Sequence, residues 1–151
     1  MRAVIQRVSG AEVRVSGESV GRIGPGLLVF LGVERSDTRE DMEWLAEKVP
    51  VIRCFEDAEG RMNRSLLDLG LEVMVISQFT LFGNLRKGTR PSFNRAAAPE
   101  TAVPLYEGFV SHLGRLTGKE VATGIFGAEM HIAADNDGPV TLVLDTRNKD
   151  L

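Results

Sequence analysis

With 151 residues, 43% of them apolar and 26% charged, the chain has the size and composition of one soluble α/β domain, residues 1–151, whose core needs no staples. Its single cysteine, Cys54, excludes an intrachain disulfide and a cysteine-rich zinc site, and with only two histidines the sequence predicts no metal centre and no cofactor. No apolar run approaches the roughly 20 residues of a membrane span, and the first residues read as a strand in place of a signal peptide, so a cytoplasmic protein is expected.

Residues 3–8 and 11–15 alternate apolar and polar in the period of two that half-buried strands require. Ser9-Gly10 separates them, and Ser16-Gly17-Glu18 turns the chain into a third strand at 19–23. Gly24-Pro25-Gly26 breaks that meander, and the continuous apolar run 27–33 is short and glycine-bounded, which predicts a central strand. A helix follows. Asp37 and Glu40 resemble a capping box, and Met42, Leu45, Ala46, Val49 and Ile52 recur at helical spacing, with Pro50 inside the pattern, so the helix is expected to end or kink just before it. Trp44 falls off the apolar stripe and is expected to be partly exposed.

Residues 56–60 form a turn, and residues 72–76 read as a strand covered on both faces. That strand delivers Ser77, Gln78 and Thr80 to one place beside Gly83. A buried hydroxyl or amide without a partner costs about 1–3 kcal/mol, so either the fold or a ligand satisfies this triplet. Beyond it no acidic residue occurs up to Pro99, while Arg86, Lys87, Arg90 and Arg95 form a positive patch in a chain of net charge −3. The patch reads equally as a solvated loop or as the contact for a polyanion.

A second principal helix is predicted from Glu100 to Leu116, with Pro104 tolerated in or near its first turn and Gly118 ending the segment. Three further strands are predicted at 121–126, 129–134 and 140–145, the last two joined by a hairpin turn through residues 135–139. Within it, Gly138-Pro139 is read as trans from the residues alone, because only about 5–6% of X-Pro bonds in folded proteins are cis. His112 and His131 have plain structural explanations, one on the helix and one in a strand, and nothing pairs either with a nucleophile. The predicted architecture is a curved, barrel-like, mostly antiparallel sheet with two principal helices packed on one side.

Two motifs then meet a known family. Ser77-Gln78-Phe79-Thr80-Leu81 together with Asn136-Asp137-Gly138-Pro139-Val140-Thr141 resembles the signature pair of the D-aminoacyl-tRNA deacylases. The likeness runs along essentially the whole chain, through residues 3–8, 87–93 and 126–130. Between Met130 and Asn136 this chain departs from the glutamine- and valine-rich pattern of the family, which bears on local strand pairing.

The resemblance implies ester hydrolysis of tRNA acylated with a D-amino acid, by a homodimer whose active site lies at the subunit interface. It implies a cis Gly138-Pro139 bond reaching into the partner's pocket, with the carbonyls of both residues holding the α-amino group and closing the direction of an L side chain. Phe126 and Met130 would take part in that selection, Gln78 and Thr80 would orient the ester and water, and Ser77 would support the loop. Backbone N–H groups around Phe79 and Thr80 would meet the developing oxyanion, with the ribose 2′-OH assisting water. Arg86, Lys87, Arg90 and Arg95 would contact the tRNA. Two alternatives stand beside this: a related deacylase of L-alanyl mischarged tRNA, against which Phe79 argues, and a noncatalytic tRNA-binding protein.

Overall fold

The alternation at the N-terminus forms one strand, β1 (Arg2–Val15), where two were expected. In the computed structural model, which describes residues 1–150, Val8 pairs with Asn136 and Gly10 with Asp135, leaving Ser9 as a bulge. A bulge bends and twists a strand without ending it, so Ser9-Gly10 is no turn. β2 (Glu18–Ile23) and β3 (Gly26–Gly32) both pair antiparallel with β1, β2 at its second half and β3 at its first.

α1 (Arg39–Lys48) is capped by Thr38, not by Asp37. Asp41 N donates to Thr38 Oγ1 and Thr38 N donates to Asp41 Oδ2, the reciprocal pair of a capping box one residue later than expected. Asp37 is otherwise engaged: its buried carboxylate accepts from the Met1 ammonium and from Glu34 N, each at 2.6 Å. The helix stops before Pro50, which lies in the 3-10 turn Val49–Val51. Trp44 is half-buried, with the Lys149 ammonium 4.6 Å from its ring centroid.

β4 (Phe55–Glu56) and β5 (Met62–Arg64) make a small hairpin across the expected turn, and α2 (Leu66–Leu69) is a single capped turn. β6 (Glu72–Ser77) runs parallel to β3 and ends in the 3-10 turn Phe79–Phe82. α3 (Pro99–Thr117) carries Pro104 beyond its first turn without breaking. The strand expected at 121–126 shortens to β7 (Ala122–Thr123), parallel to β6.

The last element corrects the sequence reading most. β8 (His131–Asp145) is one strand, antiparallel to β1 on both sides of residues 135–139, so no hairpin exists there. Gln6 pairs with Thr141 and Val8 with Asn136, so two steps along β1 face five along β8. Residues 137–140, opposite Arg7 alone, are pushed out of the ladder as a bulge. The departing stretch 131–135 pairs regularly with residues 10–14 of β1.

The resulting sheet is mixed and nearly closed, in the order β2-β1-β3-β6-β7 with β8 on the free edge of β1. One face, with Ala3, Ile5, Leu27, Val29, Val73 and Val75, packs against α1 and α3 through Leu45, Phe109 and Leu113. The other buries Val8, Val13, Leu28, Met74 and Ile76 inside the curl. β6 is therefore covered on both faces, as its unbroken apolar run required. No helix among the described residues is long and apolar enough to cross a membrane.

Candidate active site

A cavity of about 550 Å³ opens where β6 ends, bordered by Ser77, Gln78 and Phe79 on one side and by Phe126 and Met130 on the other. Five of the residues singled out in the sequence thus meet in one place. The walls are otherwise apolar, from Leu31, Val33, Ala102 and Ile132. Gln78 N donates to Leu31 O at 2.8 Å, extending the β3–β6 ladder by one residue, and the chain then breaks into the 3-10 turn. Thr80 sits in that turn, where its hydroxyl accepts from the Gln78 amide.

The first N–H groups of a short helix have no acceptor within it. Here these are the N–H groups of Phe79 and Thr80, and neither finds an acceptor elsewhere among the described residues. The turn is held from behind. Arg2 donates from Nη1 to Leu81 O at 2.7 Å and through Nε and Nη2 to Asp145 Oδ2 at 2.9 and 2.7 Å, while its guanidinium lies 5.0 Å from the Phe82 ring centroid. Burial raises the Asp145 pKa, but the Arg147 N–H, the Arg2 hydrogen bonds and nearby charge outweigh this and hold the carboxyl below the usual aspartate range.

Gly138 and Pro139 do not line this cavity. They are exposed on the bulge of β8, and the bond between them is cis, as the family resemblance implied and against the residue-based reading. Gly138 has φ +133°, a region closed to side chains, and a Cβ there would lie 2.7 Å from Val140 N. The bulge is tied down by Arg7, a buried side chain that donates from Nε to Asp137 O at 3.1 Å and from Nη1 to Cys54 O at 2.7 Å.

The family model described as D-Tyr-tRNA(Tyr) deacylase matches residues 4–145. The chain belongs to this family. It is 51% identical over 150 residues to a D-aminoacyl-tRNA deacylase of Bacteroides thetaiotaomicron, covering 99% of this chain and 100% of that one. Identity is 55% over 150 residues with the protein of the same name from Opitutus terrae, with the same coverage, and 57% over 149 residues with that of Dehalococcoides mccartyi, covering 99% and 97%. Among solved structures it is similar to the c-Myc DNA unwinding element binding protein, with a TM-score of 0.90, 38% identity and coverage of 96% and 98%. A probable eukaryotic D-amino acid tRNA deacylase shares the fold, with a TM-score of 0.82 at 18% identity and coverage of 95% and 97%.

The basic residues of this family member divide. Arg86, Lys87 and Arg90 are exposed and have no carboxylate within 4.0 Å among the described residues, whereas Arg95 pairs with Glu34 at 2.6 Å and stands 5.7 Å from the Phe82 centroid. Neither histidine borders the cavity: His112 faces Glu47 at 3.8 Å and His131 is exposed on β8. Among the described residues no three His, Cys, Asp or Glu side chains converge as metal ligands would.

Three residues of the site escaped the sequence reading. Tyr106, on α3, lines the cavity, donates to Val75 O at 2.8 Å and lies 6.0 Å from Phe126 between ring centroids. Burial and the nearby Glu107 push its phenol up to about 12, so it remains a neutral donor. Phe93 packs edge-on against Phe79 at 5.0 Å. Arg7 was legible in principle, since it follows Ala3 and Ile5 at the inward-facing positions of β1. A charge at a core position asks for partners. Phe93, in a polar loop, gave no such signal.

Proposed function

We propose that the protein hydrolyses the ester that joins a D-amino acid to the terminal adenosine of tRNA, and that it does so as a homodimer. Membership of the family and the names of its relatives support the reaction class. The single observation that carries the site is the pair of unengaged N–H groups of Phe79 and Thr80 in the turn whose first residue, Phe79, borders an apolar cavity. Donors of this kind, fixed before reaction, contribute about 10²–10³ in rate when aimed at an oxyanion. Water adds to the carbonyl carbon, the oxyanion forms against these N–H groups, and the carbonyl–O3′ bond breaks as O3′ takes up a proton. The neighbouring ribose 2′-OH assists the water, and Gln78 and Thr80 orient it. No side-chain base is required.

The second copy enters because the two motifs lie apart within one chain. Gly138-Pro139 does not border the cavity of its own chain, so on this reading its carbonyls serve a partner's site, where they receive the α-amino group. Val143, Val4 and Phe30 lie side by side across β8, β1 and β3 on the face opposite the helices, and this half-exposed apolar row suits a subunit contact. Selection of the D isomer then rests on exclusion: a carbonyl wall fills the space that an L side chain needs. Phe126 and Met130 hold the acyl end, and Arg86, Lys87 and Arg90 meet phosphates of the single-stranded end. Glycine has nothing to clash. The protein is therefore expected to deacylate D-tyrosyl-tRNA and glycyl-tRNA and to spare L-tyrosyl-tRNA in a direct hydrolysis assay. Binding of all three without turnover would return the chain to a noncatalytic tRNA-binding role.

A further inference from the structure

Phe93 stands where the basic segment meets the site. Its ring meets that of Phe79 edge-on, at 5.0 Å and 70°. It also covers the far end of the same turn, because a Cβ on Gly83 would lie 3.2 Å from Phe93 Cε1 and 3.0 Å from Thr80 O. Gly83 has φ −63°, which suits any residue, so proximity and not conformation demands the glycine there. Phe79 is 57% exposed and has no core around it to fix its ring. One aromatic side chain thus touches both ends of the turn that carries Thr80.

The same residue closes a loop. Asn84 and Ser92 exchange N–H···O bonds of 2.8 and 3.0 Å, so residues 84–92 form a closed loop and Phe93 is the first residue past its closure. Beyond Phe93 the chain is fastened to residues 33–35 just past the end of β3, with Arg35 N donating to Arg95 O at 3.0 Å, Ala97 N to Val33 O at 2.9 Å, and Arg95 paired with Glu34. The loop body carries Arg86, Lys87 and Arg90, cations with no carboxylate partner among the described residues.

On the reading of the protein as a tRNA deacylase, we propose that Phe93 is a positioning residue that couples phosphate binding on the 84–92 loop to the Phe79–Phe82 turn. A substrate long enough to reach the loop is then hydrolysed faster, and not merely bound more tightly, than its aminoacylated terminal nucleoside. Phosphates held by the three cations order the loop, the loop seats Phe93, and Phe93 fixes Phe79 and with it the N–H groups of the turn. Binding alters the site only if it favours one of its arrangements over another. A ring in contact with both ends of the turn supplies that preference.

The test compares kcat and KM on D-tyrosyl-tRNA and on the D-tyrosyl ester of adenosine, using the full chain. For the wild type, kcat is expected to be about 10-fold higher on the tRNA, within the usual range of coupling between sites. Phe93→Leu should bring the two kcat values to within about twofold of each other while KM for the tRNA changes less than about twofold. Phe93→Tyr keeps the edge contact and should retain the ratio. Replacing Arg86, Lys87 and Arg90 together with alanine should abolish the ratio and raise KM for the tRNA. Equal wild-type kcat on both substrates overturns the proposal, as does a Phe93→Leu variant that slows both equally or alters KM alone. Should Phe93→Leu fail to melt cooperatively, the triple variant decides: a ratio that survives it sinks the coupling. Absence of turnover on both substrates defeats the deacylase reading itself, and the coupling with it.

Discussion

The turn at residues 77–82 and the bulge at residues 137–140 are both irregular stretches attached to strands, yet they are held by different physics. The turn ends a strand buried on both faces and borders a cavity of its own chain, supported by the ladder bond from Gln78 N to Leu31 O and by Arg2 at Leu81. The bulge interrupts a strand that continues on either side, does not border that cavity, and hangs on one buried arginine. The proposed site, with rigid groups on one side and a partner's backbone on the other, would be served by this asymmetry. The turn is fixed by several contacts along its length, the bulge chiefly by one buried arginine.

If that contrast is right, the bulge should be the easier of the two to break. Arg7→Met removes the donor for two carbonyls, Cys54 O and Asp137 O, and leaving such groups unpaired costs about 1–3 kcal/mol each. Because Asp137 O is only part-buried and water can take up some of its cost, a loss of about 2–4 kcal/mol in urea unfolding is expected, together with a fall in deacylation. A midpoint equal to that of the wild type would show that the bulge does not depend on Arg7.

A subtler break keeps the anchor and moves only the backbone. In Gly138→Ala the new methyl group lies 2.7 Å from Val140 N at a φ of +133° that side chains avoid, so the carbonyls must shift. Displacement of a positioned group by about 1 Å can cost on the order of 100-fold in rate. Both D-tyrosyl- and glycyl-tRNA should lose about that much in kcat/KM, since the amino-group contact is common to them. Unequal losses would mean that the bulge reads the side chain instead.

The smallest expected effect sharpens the other side of the comparison. Asp145 accepts from Arg2, which in turn holds Leu81 O, and its pKa is depressed in the folded protein. The stabilisation is present above the unfolded value of about 3.9 and is lost as pH falls through the lower folded value. Urea midpoints measured from pH 7 down to pH 3 should fall more for the wild type than for Asp145→Asn, which has no carboxylate to protonate. Parallel curves would remove Asp145 from the support of the turn.

Much of this protein was legible in its sequence, for a reason common to each case: the signal was local. The apolar run before Ser77 required a strand covered on both faces, Pro50 and Gly118 bounded the helices, and the two motifs carried the family. Periodicity reports which side of a chain faces a core, and glycine and proline report where the backbone turns. Neither reports which partner a strand meets. That is why Ser9-Gly10 and residues 135–139 read as breaks between strands, when each falls at a bulge in a strand that continues. Residues 131–136 and 141–145 could pair with each other as a hairpin or with β1 as a ladder, and only the length of β1 alongside decides for the ladder. Asp37 lost its place as a helix cap in the same way, to an ammonium group distant in sequence. Arg7, Phe93 and Tyr106 joined the site through contacts spanning from 14 residues, for Phe79 and Phe93, to 130, for Arg7 and Asp137. The sequence by itself determined the two long helices, the buried central strands and the polar triplet at the end of β6, since these follow from local preference and burial pattern. Tertiary structure alone decided how β8 runs past β1, where Gly138 projects and what holds it there, because those depend on pairing between segments that no local pattern encodes.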